Sequence, residues 1–330
     1  MTNRPPPMAH LNSPPDSRVD SLQLACPSCG GIIAGNRNKS LSCANCHRVL
    51  KIENGIYRAL RPEREAYFGQ FISDYAAIRH AEGRGSLAAD YYLALPFHDL
   101  SGRLESQWKI RAHSFQTLER KVLCRIAQNE PAGMDVLDVG AGNGWLSYQL
   151  AKRGYRPVAV DLLLDEKDGL GAALHFFKQL GWAFPQFQAE MDSLPFADAQ
   201  FDLVIFNASL HYTTHPLATL REALRCLRQD GHLLIVDSPL YHDEQSGLLM
   251  KEERHRQFFK DYGFRSDSVP SIEFLTYEMV RELGDQLAID WNVIRPWYGI
   301  SWALRPLRAR WHRKREPSKF HILWGRKRDS

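Results

Sequence analysis

Val136-Leu137-Asp138-Val139-Gly140-Ala141-Gly142-Asn143-Gly144-Trp145-Leu146-Ser147 is a short apolar run ending in an acid, then glycine at every second position, then a helix-like segment. That order reads as a strand feeding a tight loop feeding a helix. The glycines suit a loop whose backbone approaches a ligand more closely than any Cβ permits. The G-x-G-x-G spacing differs from the G-x-G-x-x-G of dinucleotide-binding folds. A lone glycine loop decides little, so its meaning depends on the segments downstream of it.

Four such segments come in order. Pro157–Asp161 is a short buried strand ending in an acid about 20 residues past the glycines, placed to accept both hydroxyls of a ribose. Phe184–Glu190 is a third strand, and Met191-Asp192-Ser193-Leu194-Pro195-Phe196 comes directly after it. Phe201–Asn207 is a fourth, continued by Ala208-Ser209-Leu210-His211-Tyr212. An amphipathic helix over 217–229 then leads through Arg225-Cys226-Leu227-Arg228-Gln229-Asp230-Gly231 into a strand ending at Asp237. Helices over 246–262 and 275–283 and strands over 289–295 and 320–325 complete the pattern.

Together these segments, over about residues 132–328, resemble the class I S-adenosylmethionine (SAM)-dependent methyltransferases. The resemblance implies an α/β, Rossmann-like sheet of seven strands with SAM across the carboxyl ends of the first ones. It implies that Gly140, Ala141, Gly142 and Gly144 hold the methionine portion, with Asp138 orienting the loop beneath. Asp161 and Leu162 fall at the ribose. Met191, Asp192 and Ser193 fall at the adenine, with Asp192 accepting from its amino group, and this D-x-L-P-F loop separates SAM from NAD. Asn207 stands at the mouth where the methyl leaves. The N/D-P-P-Y signature of many amino-group and nucleobase methylating enzymes is replaced by N-A-S-L-H-Y, nearer to quinone and small-molecule methyltransferases. His211 is then either a candidate general base, since imidazole titrates near neutrality, or a wall residue.

The six cysteines are clustered rather than spread. Cys26-Pro27-Ser28-Cys29 and Cys43-Ala44-Asn45-Cys46 form C-x2-C-x13-C-x2-C, two knuckles that can close a tetrahedral, structural Zn²⁺ site. His47 is an alternative to Cys46. A fragment this short needs its metal to fold. Residues 24–60 are similar to the zinc-ribbon activators of certain tRNA and release-factor methyltransferases, and to the zinc module of some rRNA guanine methyltransferases. Cysteine usage of this kind points to a reducing, cytoplasmic compartment.

Residues 62–130 read as helical and aromatic-rich. By the same resemblance such helices fold over the SAM pocket as a lid, which makes Tyr75, Arg79, Tyr91, Trp108 and Arg111 candidate contacts. An amphipathic pair with its aromatics in the core gives the same pattern. The division expected is a disordered leader over 1–20, a zinc ribbon over 21–60, a helical lid over 61–131 and a methyltransferase domain over 132–330.

The chain is 44% apolar and 24% charged, as globular chains are, and has no run of 18 apolar residues. Its net charge of +4 hides an asymmetry, with 11 Lys and Arg against two acids from Arg295 to Ser330. Within that stretch, 296–316 places Trp297, Ile300, Leu304, Leu307 and Trp311 on one helical stripe among arginines. The stripe fits a membrane surface, with the protein peripheral to it, or an RNA, or packing on its own domain.

Three functions stay open. One is SAM-dependent methyl transfer to the oxygen or carbon of a small-molecule or lipid-linked acceptor. Another is RNA methylation, with the ribbon and the basic tail gripping phosphates. The third is a non-catalytic SAM-fold partner.

Overall fold

The computed structural model describes residues 21–36, 40–86, 88–129, 133–264 and 267–328. The leader expected over 1–20 lies outside them, as do Arg37 and Lys39 of the ribbon. Five short strands come first: β1 (Leu24–Ala25), β2 (Ile32–Asn36), β3 (Ser40–Cys43), β4 (Val49–Glu53) and β5 (Ile56–Arg58). Each pairs antiparallel with the next. Next come α1 (Pro62–Ala81), α2 (Ala89–Leu93) and α3 (Glu105–Leu118), which runs through a π turn at Glu119–Leu123 into α4 (Cys124–Asn129).

The alternating part is β6 (Asp135–Val139), α5 (Trp145–Ala151), β7 (Arg156–Asp161), α6 (Leu174–Leu180), β8 (Gln186–Gln188), β9 (Phe201–Asn207), α7 (Pro216–Cys226) and β10 (Leu227–Val236). A two-strand parallel pair, β11 (Leu240–Tyr241) and β12 (Leu275–Thr276), brackets α8 (Glu244–Tyr262). Then come α9 (Tyr277–Leu287), β13 (Ile289–Ile294), α10 (Ile300–Ala303), α11 (Arg305–Trp311) and β14 (Ile322–Lys327).

Strand neighbours run β8-β7-β6-β9-β10-β14-β13, all in one direction except β14, which is antiparallel to both of its neighbours. These are the seven strands expected from the sequence, in a doubly wound order closed by an antiparallel hairpin. The sheet itself is larger. Among the described residues it has twelve strands, because the ribbon continues it beyond β8 through β5. Ile56, Tyr57 and Arg58 lie in parallel register with Gln186, Phe187 and Gln188, and the Tyr57 and Phe187 rings stack at 4.7 Å. A bare β8 edge would leave a row of backbone N–H and C=O groups unpaired, and β5 supplies their partners. The boundary expected at residue 60 therefore divides the sequence but not the sheet.

Burial on both faces explains why the central strands read as unbroken apolar runs. Leu137, Val139, Val204 and Phe206 face one core, which α7, α9 and the ribbon share. Val136, Leu203, Ile205 and Leu234 face the other, with α3, α5 and α6. At the amino-terminal edge the buried Asp135 accepts from Arg156 at 2.7 Å and Arg228 at 2.8 Å. Arg228 belongs to the sequence pattern leading into β10, so that pattern staples three strands together.

The helical stripe read over 296–316 lies on two short helices that share Leu304. The Leu304 carbonyl still accepts from the Arg308 N–H at 3.0 Å, so the helical path is continuous. Pro306 sits in the first turn of α11, where its missing N–H has no intrahelical partner to lose. No helix among the described residues is long and apolar enough to cross a membrane.

Candidate functional site

The loop after β6 turns back on its own sheet. The Gly140 and Ala141 N–H groups donate to the Val160 carbonyl at 2.8 and 3.0 Å. Gly140 has φ +76°, and a Cβ there would stand 2.3 Å from the Ser209 Cβ. Ser209 in turn donates to the Val139 carbonyl at 2.5 Å. The loop after β9 thus requires glycine at position 140 by itself, before any ligand is considered. Gly142, with φ +55°, faces open space apart from the Asp168 carbonyl at 3.7 Å. It is the position where the backbone lies open to an incoming group.

Asp161 ends β7 and accepts from the Gly142 N–H at 2.7 Å and the Leu163 N–H at 2.8 Å, one per oxygen. Those bonds fix the carboxylate in the wall of a cavity. Burial raises its pKa, and the two N–H donors work against that shift. Asp138 lies behind the loop, fully buried. One of its oxygens accepts from Ser147 at 2.8 Å and the other has no partner among the described residues. Burial pushes its pKa up to about 7, and nearby Asp161 adds to the shift.

A cavity of about 710 Å³ opens over the carboxyl ends of β6, β7 and β9. Of the sequence-predicted residues, Gly140, Ala141, Gly142, Asp161, Leu162, Met191, Asp192, Ser193, Asn207 and His211 line it. Asp138 and Gly144 do not. Gly144 caps α5 at φ +82° and packs on Phe184. Among the described residues no hydrogen bond engages the Asp192 carboxylate, so it is available inside the cavity.

The lid prediction divides. Tyr75, Arg79 and Arg111 reach the cavity. Tyr91 and Trp108 are 4% and 3% exposed and belong to the core instead. Trp108 packs edge-on against Trp145 and carries the Arg111 guanidinium 4.8 Å from its ring centre. Arg79 is tied to Asp168 at 2.5 Å. Arg111 has no carboxylate within ion-pair distance among the described residues. Burial, then Arg84 and Arg79, lower its pKa to about 10. It remains a cation directed at the cavity.

His211 is 7% exposed, with Nδ1 3.4 Å from the Ser238 hydroxyl. Burial, then Arg254 and Arg111, push its pKa down to about 3, so at neutral pH it is uncharged and binds a proton poorly. Asp237 differs. It follows β10, whose Val236 pairs with Asn207, and it has φ +53°. One oxygen accepts from Ser114 and the other has no partner among the described residues. Burial pushes its pKa up to about 6. Sequence reasoning places Asp237 only at the end of a strand and misses it as a site residue. The available signal is an acid at the carboxyl end of its strand, as Asp161 is at the end of β7.

The four ribbon cysteines converge. Their sulfurs all lie within 4.8 Å of one another, with Cys26–Cys46 at 3.6 Å and Cys29–Cys43 at 3.4 Å. A tetrahedral Zn²⁺ with Zn–S of about 2.3 Å spaces its sulfurs by about 3.8 Å, so the set fits that ion. His47, at φ +59°, is outside the cluster. The first knuckle also reaches the cavity, whose wall includes Pro27.

Residues 137–235 match a family described as "Methyltransferase domain". The chain is similar to the malonyl-[acyl-carrier protein] O-methyltransferase of Hahella chejuensis, 34% identical over 132 residues, 38% of this chain and 45% of that one. It is 33% identical to the ubiquinone/menaquinone biosynthesis C-methyltransferase of Roseobacter denitrificans over 111 residues, 32% of this chain and 43% of that one. It is 28% identical to the demethylmenaquinone methyltransferase of Mycobacterium tuberculosis over 171 residues, 52% and 69% of the two chains. The chain spans less than half the length of the first two relatives.

Proposed function

We propose that the protein is a SAM-dependent methyltransferase acting on the oxygen or carbon of a small-molecule or lipid-linked acceptor. The observation that carries this is the single cavity joining Gly142, Asp161 and the available Asp192 to an acceptor end formed by Asn207, Arg111 and Asp237. Asp161 would hold the ribose diol, Asp192 the adenine amino group, and the glycine loop the methionine portion. When bound, SAM would supply an electrophilic methyl group for a nucleophile.

The chain's own residues prepare that nucleophile. Asp237 takes the proton of a hydroxyl or acidic carbon, which suits a carboxylate titrating near 6 better than an imidazole titrating near 3. Arg111 holds the resulting anion, at a site dry enough for one charge to count. His211 becomes a neutral wall residue that shapes the acceptor end. The relatives' names include both O- and C-methylation, and a base beside a cation serves either.

The RNA reading has less support. Arg48 is engaged by Ser28 and the Leu60 carbonyl, and Arg58 by Glu53 and Glu65, which leaves the described ribbon fewer cations for phosphates. Structural Zn²⁺ on Cys26, Cys29, Cys43 and Cys46 is part of this proposal. Calorimetry with SAM, then transfer of labelled methyl to fractionated small-molecule, lipid and RNA extracts, tests it. Absence of SAM binding overturns it, and labelling of RNA alone replaces the acceptor.

A further inference from the structure

An amphipathic helix on a globular domain normally buries its apolar side. The 296–316 insertion does the reverse. Trp302 and Arg305 face inward, with the Arg305 guanidinium 3.8 Å from the Trp302 ring centre and Trp302 packed 5.8 Å from Phe320. Tyr298 anchors the same side by donating to the Phe320 carbonyl at 2.6 Å. On the outer side Trp297, Ile300, Leu304, Leu307 and Trp311 are 64, 72, 38, 65 and 86% exposed. Five large side chains at helical spacing form one solvent-facing apolar strip, not scattered surface residues.

The charges fit the same orientation. At 100° per residue, Arg308 and Arg310 flank the strip on opposite sides, and Arg313 and Lys314 follow its end. None of the four has a carboxylate partner among the described residues, whereas neighbouring Arg315 is held by Glu253 at 2.7 Å. We propose that this insertion docks the protein on an anionic phospholipid bilayer, with the strip in the acyl boundary and the four cations at the headgroups. A second copy of the chain would bring eight unpaired cations together. A phosphate backbone would meet the cations but leave Ile300, Leu304 and Leu307 without partners. Phe320 lines the cavity on its other side, so docking brings the acceptor end close to the membrane surface. The proposal does not depend on methyl transfer.

The test is cosedimentation of the full chain with phosphatidylcholine vesicles, with and without phosphatidylglycerol, at several salt concentrations. Binding is expected on the anionic vesicles, weakening with salt, with tryptophan emission quenched by brominated acyl chains. Trp297→Ser/Leu307→Ser/Trp311→Ser should lose tenfold or more, and Arg308→Gln/Arg310→Gln about fivefold per cation removed. Both variants alter exposed positions, and thermal melts confirm that they fold as the parent does. Equal binding to both vesicles, no binding, or variants that bind like the parent overturns the proposal. So does a dimer, or binding to polyuridylate, that the serine variant abolishes in place of vesicle binding.

Discussion

The Ser193 hydroxyl donates to the Pro27 carbonyl at 3.3 Å, tying the loop assigned to adenine to the first cysteine knuckle. Backbone bonds reinforce the contact, from Ala25 to Pro195 at 3.1 Å and from Ala197 to Gln23 at 2.9 Å. The ribbon is therefore part of the wall of the cavity proposed to hold SAM. If four thiolates hold a metal, its removal frees the knuckle and the adenine loop together. Chelation, or Cys43→Ser, is expected to weaken SAM binding at least tenfold by calorimetry. Unchanged affinity after metal analysis confirms the loss would show the ribbon to be an appendage.

The glycine loop makes a sharper prediction than its spacing alone does. Gly140→Ala places a methyl 2.3 Å from the Ser209 Cβ at a left-handed φ, where backbone strain alone is about 1 kcal/mol. Gly142→Ala meets only the strain. Gly140→Ala is expected to lose SAM binding and roughly 2–4 kcal/mol of stability in denaturant titrations. Gly142→Ala should lose about 1 kcal/mol of stability. Adding Ser209→Gly to Gly140→Ala should recover part of the loss, and no recovery would refute the steric account.

The run from β6 to β10 was legible because each strand ends in chemistry: glycines after Val139, an acid at Asp161, D-x-L-P-F after β8, Asn207 at the end of β9. The ribbon's place in the sheet was not legible. Tyr57 pairs with Phe187, a contact 130 residues apart in sequence, and nothing local in a three-residue strand names its partner. Tyr91 and Trp108 resemble lid contacts because aromatic residues at helical spacing serve core and pocket alike. The 297–311 stripe reveals an apolar side but not what it faces, and only the inward turn of Trp302 decides that.

Asp138 makes stability depend on pH. Its folded pKa of about 7 lies above that of an unfolded carboxylate, so the folded state holds the proton longer. The stabilisation this gives is complete below about pH 4 and lost as pH rises through about 7, a span on the order of 4 kcal/mol. Asp138→Asn removes the titration and keeps an acceptor for Ser147. Relative to the parent, the variant should gain stability between pH 5 and pH 8 in urea unfolding. A constant difference across that range would contradict a protonated, buried Asp138.

Asp237 and His211 stand at the same end of the cavity and make opposite predictions for catalysis. If Asp237 receives the acceptor's proton, kcat/KM for labelled-methyl transfer should rise with pH through about 6 and level above it. Asp237→Asn should remove that limb and cost on the order of 100-fold or more, a typical share for general-base help. His211 titrates near 3, so His211→Gln should keep the limb and change the rate by less than about tenfold. Arg111→Lys keeps the charge but loses the fixed fork and the stacking on Trp108, and should raise KM more than it lowers kcat. Loss of the limb in His211→Gln, with Asp237→Asn nearly unaffected, would transfer the proton to the imidazole. Its pKa would then have to rise when an anionic acceptor sits between it and Arg111, since Arg111 is one of the charges holding it down.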